Sequence, residues 1–566
     1  MNILGINAVF HESSAALIID GEIVAACEEE RFNRVKHAKQ ARVDNPHVLP
    51  EKAIRFCLNY AGLHACEIDH IAYSFDPRLR RASFRPQWWP DSGWESEFLS
   101  RLADVSAAVE AILEREIGDA LKFVPHHLAH AASAYYPSGF DSAAILVVDG
   151  IGEAACSTLA RGDGARIQSL DSFSYPHSLG FVWEQVSAHL GFSPYDAAKV
   201  MGLAAYGDPD ICREQIAAII DVREDGYAVD PVALGFPAVD SSAPERRDQS
   251  GLEGLLGPPR RRNAEISRRH ADIAAALQAE TNAAVAALLR RLERATAQER
   301  LCLAGGVALN CVTNAQISRM SGFSDIFIPS APHDAGTAIG AALLVHCAEG
   351  GACPRPSASP YLGPDFDERE ILAAVRAAGL TPRRSKDPAR DAADMIADGN
   401  IVAWFQGRME FGPRALGNRS LLADPRRPDT RAILNRRIKH REDFRPFAPA
   451  VLAERADEWF DIGPPSPSRE FMLFACPAKA ERRDRIPAVI HRDGTARVQI
   501  VQRKSNPRFH ELISRFFART GVPLVVNTSF NDSEPIVCTP AQAIHTFRNT
   551  GMDALFMGDI YLTSQM

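Results

Sequence analysis

Between residues 404 and 445 the chain sets eleven Arg and Lys side chains against five carboxylates, although its formal net charge is −8. The run reads WFQGRMEFGPRALGNRSLLADPRRPDTRAILNRRIKHREDFR. Gly407, Gly412 and Gly417 recur at five-residue spacing and Pro413 interrupts them, so the first half is not helical. It reads as a loop whose backbone amides can approach a small ligand closely. Guanidinium groups offer paired donors to phosphate or carboxylate oxygens, and the two prolines of FRPFAP stiffen the chain after Arg445. An anion-facing loop is the expectation, with a solvated basic face as the alternative.

At 566 residues the chain exceeds one hydrophobic core, and the usual span of about 100 to 200 residues per domain predicts two to four domains. Apolar content of 46% and charged content of 24% match an ordinary soluble globular protein. Apolar runs such as AAILVV and AAVAALL fall well short of the roughly 18 residues a membrane span requires. MNILGINAVF lacks the basic segment and cleavage site of a signal peptide. A cytoplasmic protein without a membrane partner is expected. Eleven cysteines with no CxxC pair speak against a disulfide framework or zinc knuckle and predict mostly reduced core thiols. A pI near 6.1 argues against a general nucleic-acid binder, which carries a basic footprint over a whole face. No internal repeat is evident.

The first thirty residues read as three strands, NILGINA, SSAALIID and EIVAACEEE, with Asp20-Gly21 as a two-residue hairpin turn. His11 sits in the turn between the first two. It is either a catalytic or phosphate-facing histidine on a loop held by a sheet, or an exposed turn residue. The mixed-charge stretch 28–37 reads as a solvated helix start. Helical spacing in PEKAIRFCLNYAG, followed by the strand IDHIAYSFD, predicts an α/β sheet. Residues 77–96, with Trp88, Trp89 and Trp94, would line an acceptor pocket or cap a domain edge.

In HHLAHAASAYY, His126 and His130 are four residues apart on a predicted helix, so both imidazoles project from one face and His127 points elsewhere. SAAILVVDG then reads as a buried strand ending at Asp149, at the sheet edge where α/β proteins bind ligands. Two histidines and a carboxylate form a set that leaves positions open on iron or a similar divalent ion. SDIFIPSAPHDAG supplies a further ligand, Asp334, whose other reading is a helix N-cap. Lys199 and Gly202 in AAKVMGLAAYGDP read as a ligand-like turn, with a surface lysine as the alternative. Gly305, Gly306 and Asn310 in LCLAGGVALN resemble a nucleotide-contacting strand-turn-helix. Residues 236–265 are expected to be a surface loop or mobile insertion and 266–297 a long Ala-rich helix. A Pro-rich connector after Gly350 predicts a domain boundary. Beyond it, the strand NIVAWF feeds the basic run. Arg497, Arg503 and Arg508 follow, and Asn527 and Thr528 end a buried strand with groups that suit a ligand offering donors and acceptors.

With FHESSAA, HHLAHAASAYY, VVDGIGE, KVMGLAAYGDP, AGGVALN, GPRALGNRSLL, FRPFAP, SNPRFH and NTSFN in this order, the chain resembles, over nearly its whole length, the O-carbamoyltransferase family. That family includes tobramycin and 3-hydroxymethylcephem carbamoyltransferases and the nodulation protein NodU. The resemblance implies an α/β protein. An actin-like ATPase domain similar to the tRNA-threonylcarbamoyl transferase would span 1–352, a linker 353–385, and a YrdC-like carbamoyl-adenylate-forming domain 386–566. It further implies a metal, typically iron, on His126, His130, Asp149 and Asp334, and His11 as base or orienting group. Arg414, Lys439, Arg445, Arg497, Asn527 and Thr528 would hold carbamoyl phosphate and the nucleotide. The implied cofactors are ATP, carbamoyl phosphate and a divalent metal such as Fe2+, with Mg2+ accompanying ATP. The implied partner is a small-molecule hydroxyl acceptor, and the implied assembly a monomer or homodimer. An actin-like sugar kinase would not need the Arg-rich second domain, and a tRNA-modifying relative would show a basic RNA-facing surface.

Overall fold

Two five-stranded sheets of the same design form the core of the first of two compact units. This unit comprises Met1–Glu29 and His37–Ala358, and the second comprises Glu30–Lys36 and Ser359–Met566. The structure, a computed structural model, describes residues 1–40, 42, 44–84, 93–235, 250–442 and 444–564. Trp88, Trp89 and residues 236–249 of the predicted surface loop lie outside the described residues, and in the rest of that stretch Ser250–Leu256 forms a helix.

In the first sheet, β1 (Asn2–Asn7), β2 (Ser14–Ile19) and β3 (Glu22–Glu28) form an antiparallel meander. β4 (His70–Tyr73) and β5 (Leu121–Phe123) continue from β1 in parallel, giving the order β3-β2-β1-β4-β5. The second sheet starts with the meander β6 (Ser142–Val148), β7 (Ala155–Asp163) and β8 (Arg166–Ser174). A separate hairpin follows, β9 (Ile220–Arg223) with β10 (Gly226–Val229). β11 (Arg300–Ala304) and β12 (Asp325–Phe327) then extend the sheet in parallel from β6, giving β12-β11-β6-β7-β8. This duplicated topology is the actin-like ATPase fold. It is also an internal repeat that the residues do not display, because pairing order depends on where apolar segments fall and not on which apolar residues they contain. β6 is a near-continuous apolar run because both its faces are covered.

Small residues let the elements of this unit approach closely. Helix Thr337–Ala348 lies against β1, where a Cβ on Gly5 would sit 1.9 Å from Ala338 O. It also lies against helix His126–Ser138, where a Cβ on Gly340 would sit 1.8 Å from Ala129 O. The expected hairpin is present, with Asp20 and Gly21 at φ 49° and 78°. The predicted long helix is Arg268–Thr296. Residues around Lys199 and Gly202 form the helix Ala197–Ala204 rather than a turn, since only Gly202 in that run disfavours helix.

The second unit is built on a mixed eight-stranded sheet. Its strands are β13 (Arg383–Arg384), β14 (Val402–Phe405), β15 (Arg419–Ala423), β16 (Ala448–Leu452), β19 (Gln499–Val501), β20 (Leu524–Ser529), β21 (Ala554–Met557) and β22 (Ile560–Thr563). Their order is β13-β22-β21-β14-β15-β20-β16-β19. β17 (Ala475–Pro477) and β18 (Thr495–Arg497) pair apart from it. The glycine-punctuated stretch is the long connection between β14 and β15, whose ends meet at Phe405 and Arg419. Of the predicted solvated helix start, residues 30–36 belong to this unit, where Val35 and Lys36 are exposed as expected but Arg31 is buried. A short helix, Glu30–Asn33, carries Arg31 at 2% exposure.

Gly340→Ala places a methyl group inside a backbone carbonyl and is expected to destabilise the protein by about 1 to 3 kcal/mol or more. Gly254→Ala, with nothing within 4 Å of the new methyl, should not. Urea unfolding of the two full-length variants provides the check.

Candidate metal centre and anion site

The first residues of helix His126–Ser138, the end of β6 and the turn before helix Thr337–Ala348 bring four side chains to one point. His126 Nε2 lies 3.7 Å from both Asp149 Oδ2 and Asp334 Oδ1, and His130 Nε2 lies 3.7 and 3.4 Å from the same atoms. All four groups are buried, and their ligand atoms lie within 4.8 Å of one another. These separations exceed the ordinary range of about 2.7 to 3.2 Å for an N–H···O hydrogen bond, and both Nε2 atoms are buried without a hydrogen-bond partner. Orphaned imidazole nitrogens facing two buried carboxylates fit a divalent ion with nitrogen and oxygen ligands.

Surrounding groups orient the set. His126 Nδ1 is 3.0 Å from Ser74 O, which directs Nε2 toward the carboxylates. Asp149 Oδ1 accepts from Gly306 N at 2.8 Å and leaves Oδ2 to the imidazoles. Gly305 has φ +92°, and a Cβ there would lie 2.2 Å from Val148 O, so the loop reaches Asp149 only as glycine. Asp334 opens a short 3-10 turn, and its side chain faces the histidines instead of capping the helix. Burial opposes charge on His126, yet the two carboxylates raise it well above the usual histidine range. Asp149 is held well below the carboxylate range by the same histidines, against its own burial. His127, which burial lowers to about 3, turns away to Thr158 Oγ1 at 2.8 Å.

The His11 turn is tied to this centre. Its neighbours Phe10 and Glu12 have φ 59° and 56°, an uncommon conformation for residues other than glycine. Asn7 Nδ2 holds the turn through His11 O at 3.2 Å and Glu12 O at 3.0 Å. Asn7 Oδ1 accepts from Ser74 Oγ at 3.0 Å, and Ser74 is the residue whose carbonyl orients His126. The His11 ring stands 5.4 Å from that of Tyr195 and 6.1 Å from that of His37, and His37 Nδ1 is 2.5 Å from Glu12 Oε1.

In the second unit a cationic cluster meets a neutral amide. Lys439 ends a π-helical turn, Leu434–Lys439, and its Nζ donates to Ser529 O, Ser529 Oγ, Asn531 O and Asn531 Oδ1 at 2.5 to 3.2 Å. Burial, then the charges of Arg441 and Arg445, push this amine well below the usual lysine range. Arg441 is lowered to about 9 by burial, then by Arg445 and Arg497. Asn527 donates to Gln499 Oε1 at 2.7 Å and to Ala415 O at 3.2 Å, beside Arg414, while its buried Oδ1 has no partner. Thr528 pairs with Leu421 in the sheet. Mutually repelling cations, one of them bound to Ser529 two residues beyond an unsatisfied acceptor, suit an anion with an amide-like end.

Two family descriptions cover the chain, "Carbamoyltransferase N-terminus" over residues 2–343 and "Carbamoyltransferase C-terminus" over residues 393–564. The nodulation protein NolNO of Sinorhizobium fredii is 38% identical over 563 residues, 98% of this chain and 79% of that protein. The nodulation protein NolO of Bradyrhizobium diazoefficiens is 40% identical over 76% of this chain and 77% of its own. The chain belongs to the carbamoyltransferase family. Among solved structures, an activator of 2-hydroxyisocaproyl-CoA dehydratase from Clostridium difficile overlaps 62% of this chain and 96% of its own. The identity is 14% and the TM-score 0.32, too little to argue from.

Within this family member the sequence-predicted residues divide. His126, His130, Asp149 and Asp334 converge, whereas Gly306 serves Asp149 rather than a free anion. Asn310 caps the helix Cys311–Asn314 and donates to Gln278, so its amide is occupied within the fold. Lys199 pairs with Asp196 at 3.0 Å. Of the eleven basic residues in the 404–445 run, several are structural. Arg419 is fully buried on backbone carbonyls with its guanidinium 3.6 Å above the Phe405 ring. Arg408 binds Leu362 O and Gly363 O, Arg426 and Arg427 bind Asp424 and Asp429, and Arg437 binds Asp553. Sequence reasoning missed Glu12, His37 and Tyr195. The only cue to Glu12 was its place beside His11.

Metal analysis of the purified chain should find a bound divalent ion, and Asp334→Asn combined with His130→Ala should abolish it without changing far-UV circular dichroism. Against its burial, His37 lowers Glu12 from 4.5 to about 2. The folded-state value lies below the unfolded one, so this stabilisation is full above pH 4.5 and is lost as pH falls toward 2. The stability difference between wild type and Glu12→Gln should shrink across that window in acid denaturation.

Proposed function

We propose that this carbamoyltransferase is an ATP-dependent O-carbamoyltransferase of the cytoplasm. In this reading the second unit converts carbamoyl phosphate to carbamoyl-adenylate, and the first transfers the carbamoyl group to a hydroxyl of a small natural product or sugar. The reading is carried by a buried two-histidine, two-carboxylate set in the same family chain as a cationic cluster and an unpartnered amide oxygen, that of Asn527, two residues before the Ser529 that Lys439 binds. Carbamoyl phosphate is a small dianion with an amide-like end. Arg414, Arg445 and Arg497 take its phosphate oxygens, and Asn527 Oδ1 accepts from its NH2 group. Lys439, fixed on Ser529 and Asn531, holds the strand end on which Asn527 and Thr528 sit.

The balance is simple. ATP, carbamoyl phosphate and water give carbamoyl-adenylate, pyrophosphate and phosphate. In the second step the acceptor oxygen bonds to the carbamoyl carbon, AMP leaves with the electrons of the broken C–O bond, and the hydroxyl proton departs. A divalent ion on His126, His130, Asp149 and Asp334 would supply charge stabilisation for the departing phosphate. His11 takes the proton, a contribution typically of about 10² to 10⁴ in rate. Its strained turn, held by Asn7, keeps the ring in place.

Incubation with ATP and labelled carbamoyl phosphate, without acceptor, should yield carbamoyl-AMP and pyrophosphate. His11→Asn should retain this half-reaction and abolish transfer, and Arg497→Ala should lose the half-reaction itself. Loss of both steps in His11→Asn removes the proposed role of that residue. Absence of carbamoyl-AMP in the wild type overturns the reaction type.

A further inference from the structure

Residues 30–36 belong to the second unit although the chain on either side of them belongs to the first. We propose that this seven-residue segment positions both banks of the anion site: Arg31 sets the turn that carries Arg414, and Arg34 sets the loop that holds Lys439. The inference rests on the carbamoyl-phosphate reading for its substrate, but its geometry stands on the segment's own contacts.

Arg31 is 2% exposed, and its guanidinium donates to Gly412 O at 2.8 Å while pairing with Glu30 at 2.6 Å. Gly412 has φ +120° and lies two residues before Arg414. Gly412 lies in the connection between β14 and β15, and the buried Arg31 guanidinium is one of the groups that fix its carbonyl there, beside the Glu410 carboxylate that holds the amides of Leu416 and Asn418. Phe32 packs on the buried Met409, Ile536 and Cys538, which joins the start of the Gly412 loop to the chain beyond β20.

Arg34 acts on the opposite bank. It donates to Ile536 O at 2.7 Å and to Pro535 O at 2.5 Å, and lies 3.9 Å from Glu534 Oε1. Asn531 Nδ2 donates to Glu534 O at 2.7 Å, and the other end of that amide accepts from Lys439 Nζ at 2.6 Å. Arg34 thus holds the backbone at Pro535 and Ile536, directly after the Glu534 carbonyl that fixes the Asn531 amide on which the amine rests. Two arginines spent on carbonyls of the two loops that flank the cations point to placement of those loops.

The test uses the full-length chain with Arg31→Lys, which keeps the charge and loses the fork, and Arg34→Ala. Carbamoyl-phosphate-dependent ATP–pyrophosphate exchange is expected to show the KM for carbamoyl phosphate raised about tenfold. The KM for ATP, kcat and the thermal midpoint should stay close to wild type. Binding of inorganic phosphate, measured by calorimetry on the same proteins, should weaken by a similar factor. If wild type binds phosphate but performs no exchange, the adenylate reading fails, and weaker phosphate binding by the variants still supports the positioning role. Unchanged KM and phosphate affinity in both variants overturn it. So does a fall in thermal midpoint with unaltered affinity, the signature of a purely structural staple. Absence of phosphate binding and of exchange in the wild type overturns both proposals.

Discussion

Two buried carboxylates facing the same pair of imidazoles impose the strongest demand on the first unit. Unit charges about 4 Å apart repel by about 4 kcal/mol at an effective dielectric constant near 20, and Asp149 and Asp334 are almost fully withdrawn from water. Such a pair persists only where positive charge is drawn between the carboxylates and the backbone cannot relax away. The duplicated sheets provide the second condition. β6 delivers Asp149, helix Thr337–Ala348 follows Asp334, and the tight approach at Gly340 locks that helix to the one that bears both histidines.

The second unit solves the opposite problem. Cations gathered in one stretch of chain repel one another, and here that repulsion is contained by giving some arginines wholly structural partners. Arg419 is surrounded by backbone carbonyls and an aromatic face, while Glu410 accepts the amides of Leu416, Asn418 and Arg419 and shapes the same loop from the other side. What is left is a smaller group in which burial, and then the charges of Arg445 and its neighbours, lower Lys439 and Arg441.

How much of this was legible in the residues depends on the range of the interaction. The metal-type set was visible because His126 and His130 share a helix face and Asp149 terminates an apolar run, all of which are local signals. The duplicated topology was not, since strand order is a long-range property that many apolar patterns satisfy. The basic run was legible as a loop, but not that Arg419 within it is structural, because the carbonyls that close around it come from residues 12 and 13 positions before it and from Pro364. Asn310 looked like a ligand because polar caps and polar ligands occupy the same kind of position. Residues 28–37 looked solvated because charge normally means exposure, and the buried partner of Arg31 lies 381 positions away.

The threading of residues 30–36 has a consequence for inheritance. A genetic exchange at the apparent border near residue 358 would transplant an eight-stranded sheet without the short passenger that it buries. The two halves of such a chain are therefore not interchangeable cassettes. Recombination between relatives would have to preserve the fit of a helix near the amino terminus to carbonyls several hundred residues downstream, which ties drift in one half to drift in the other.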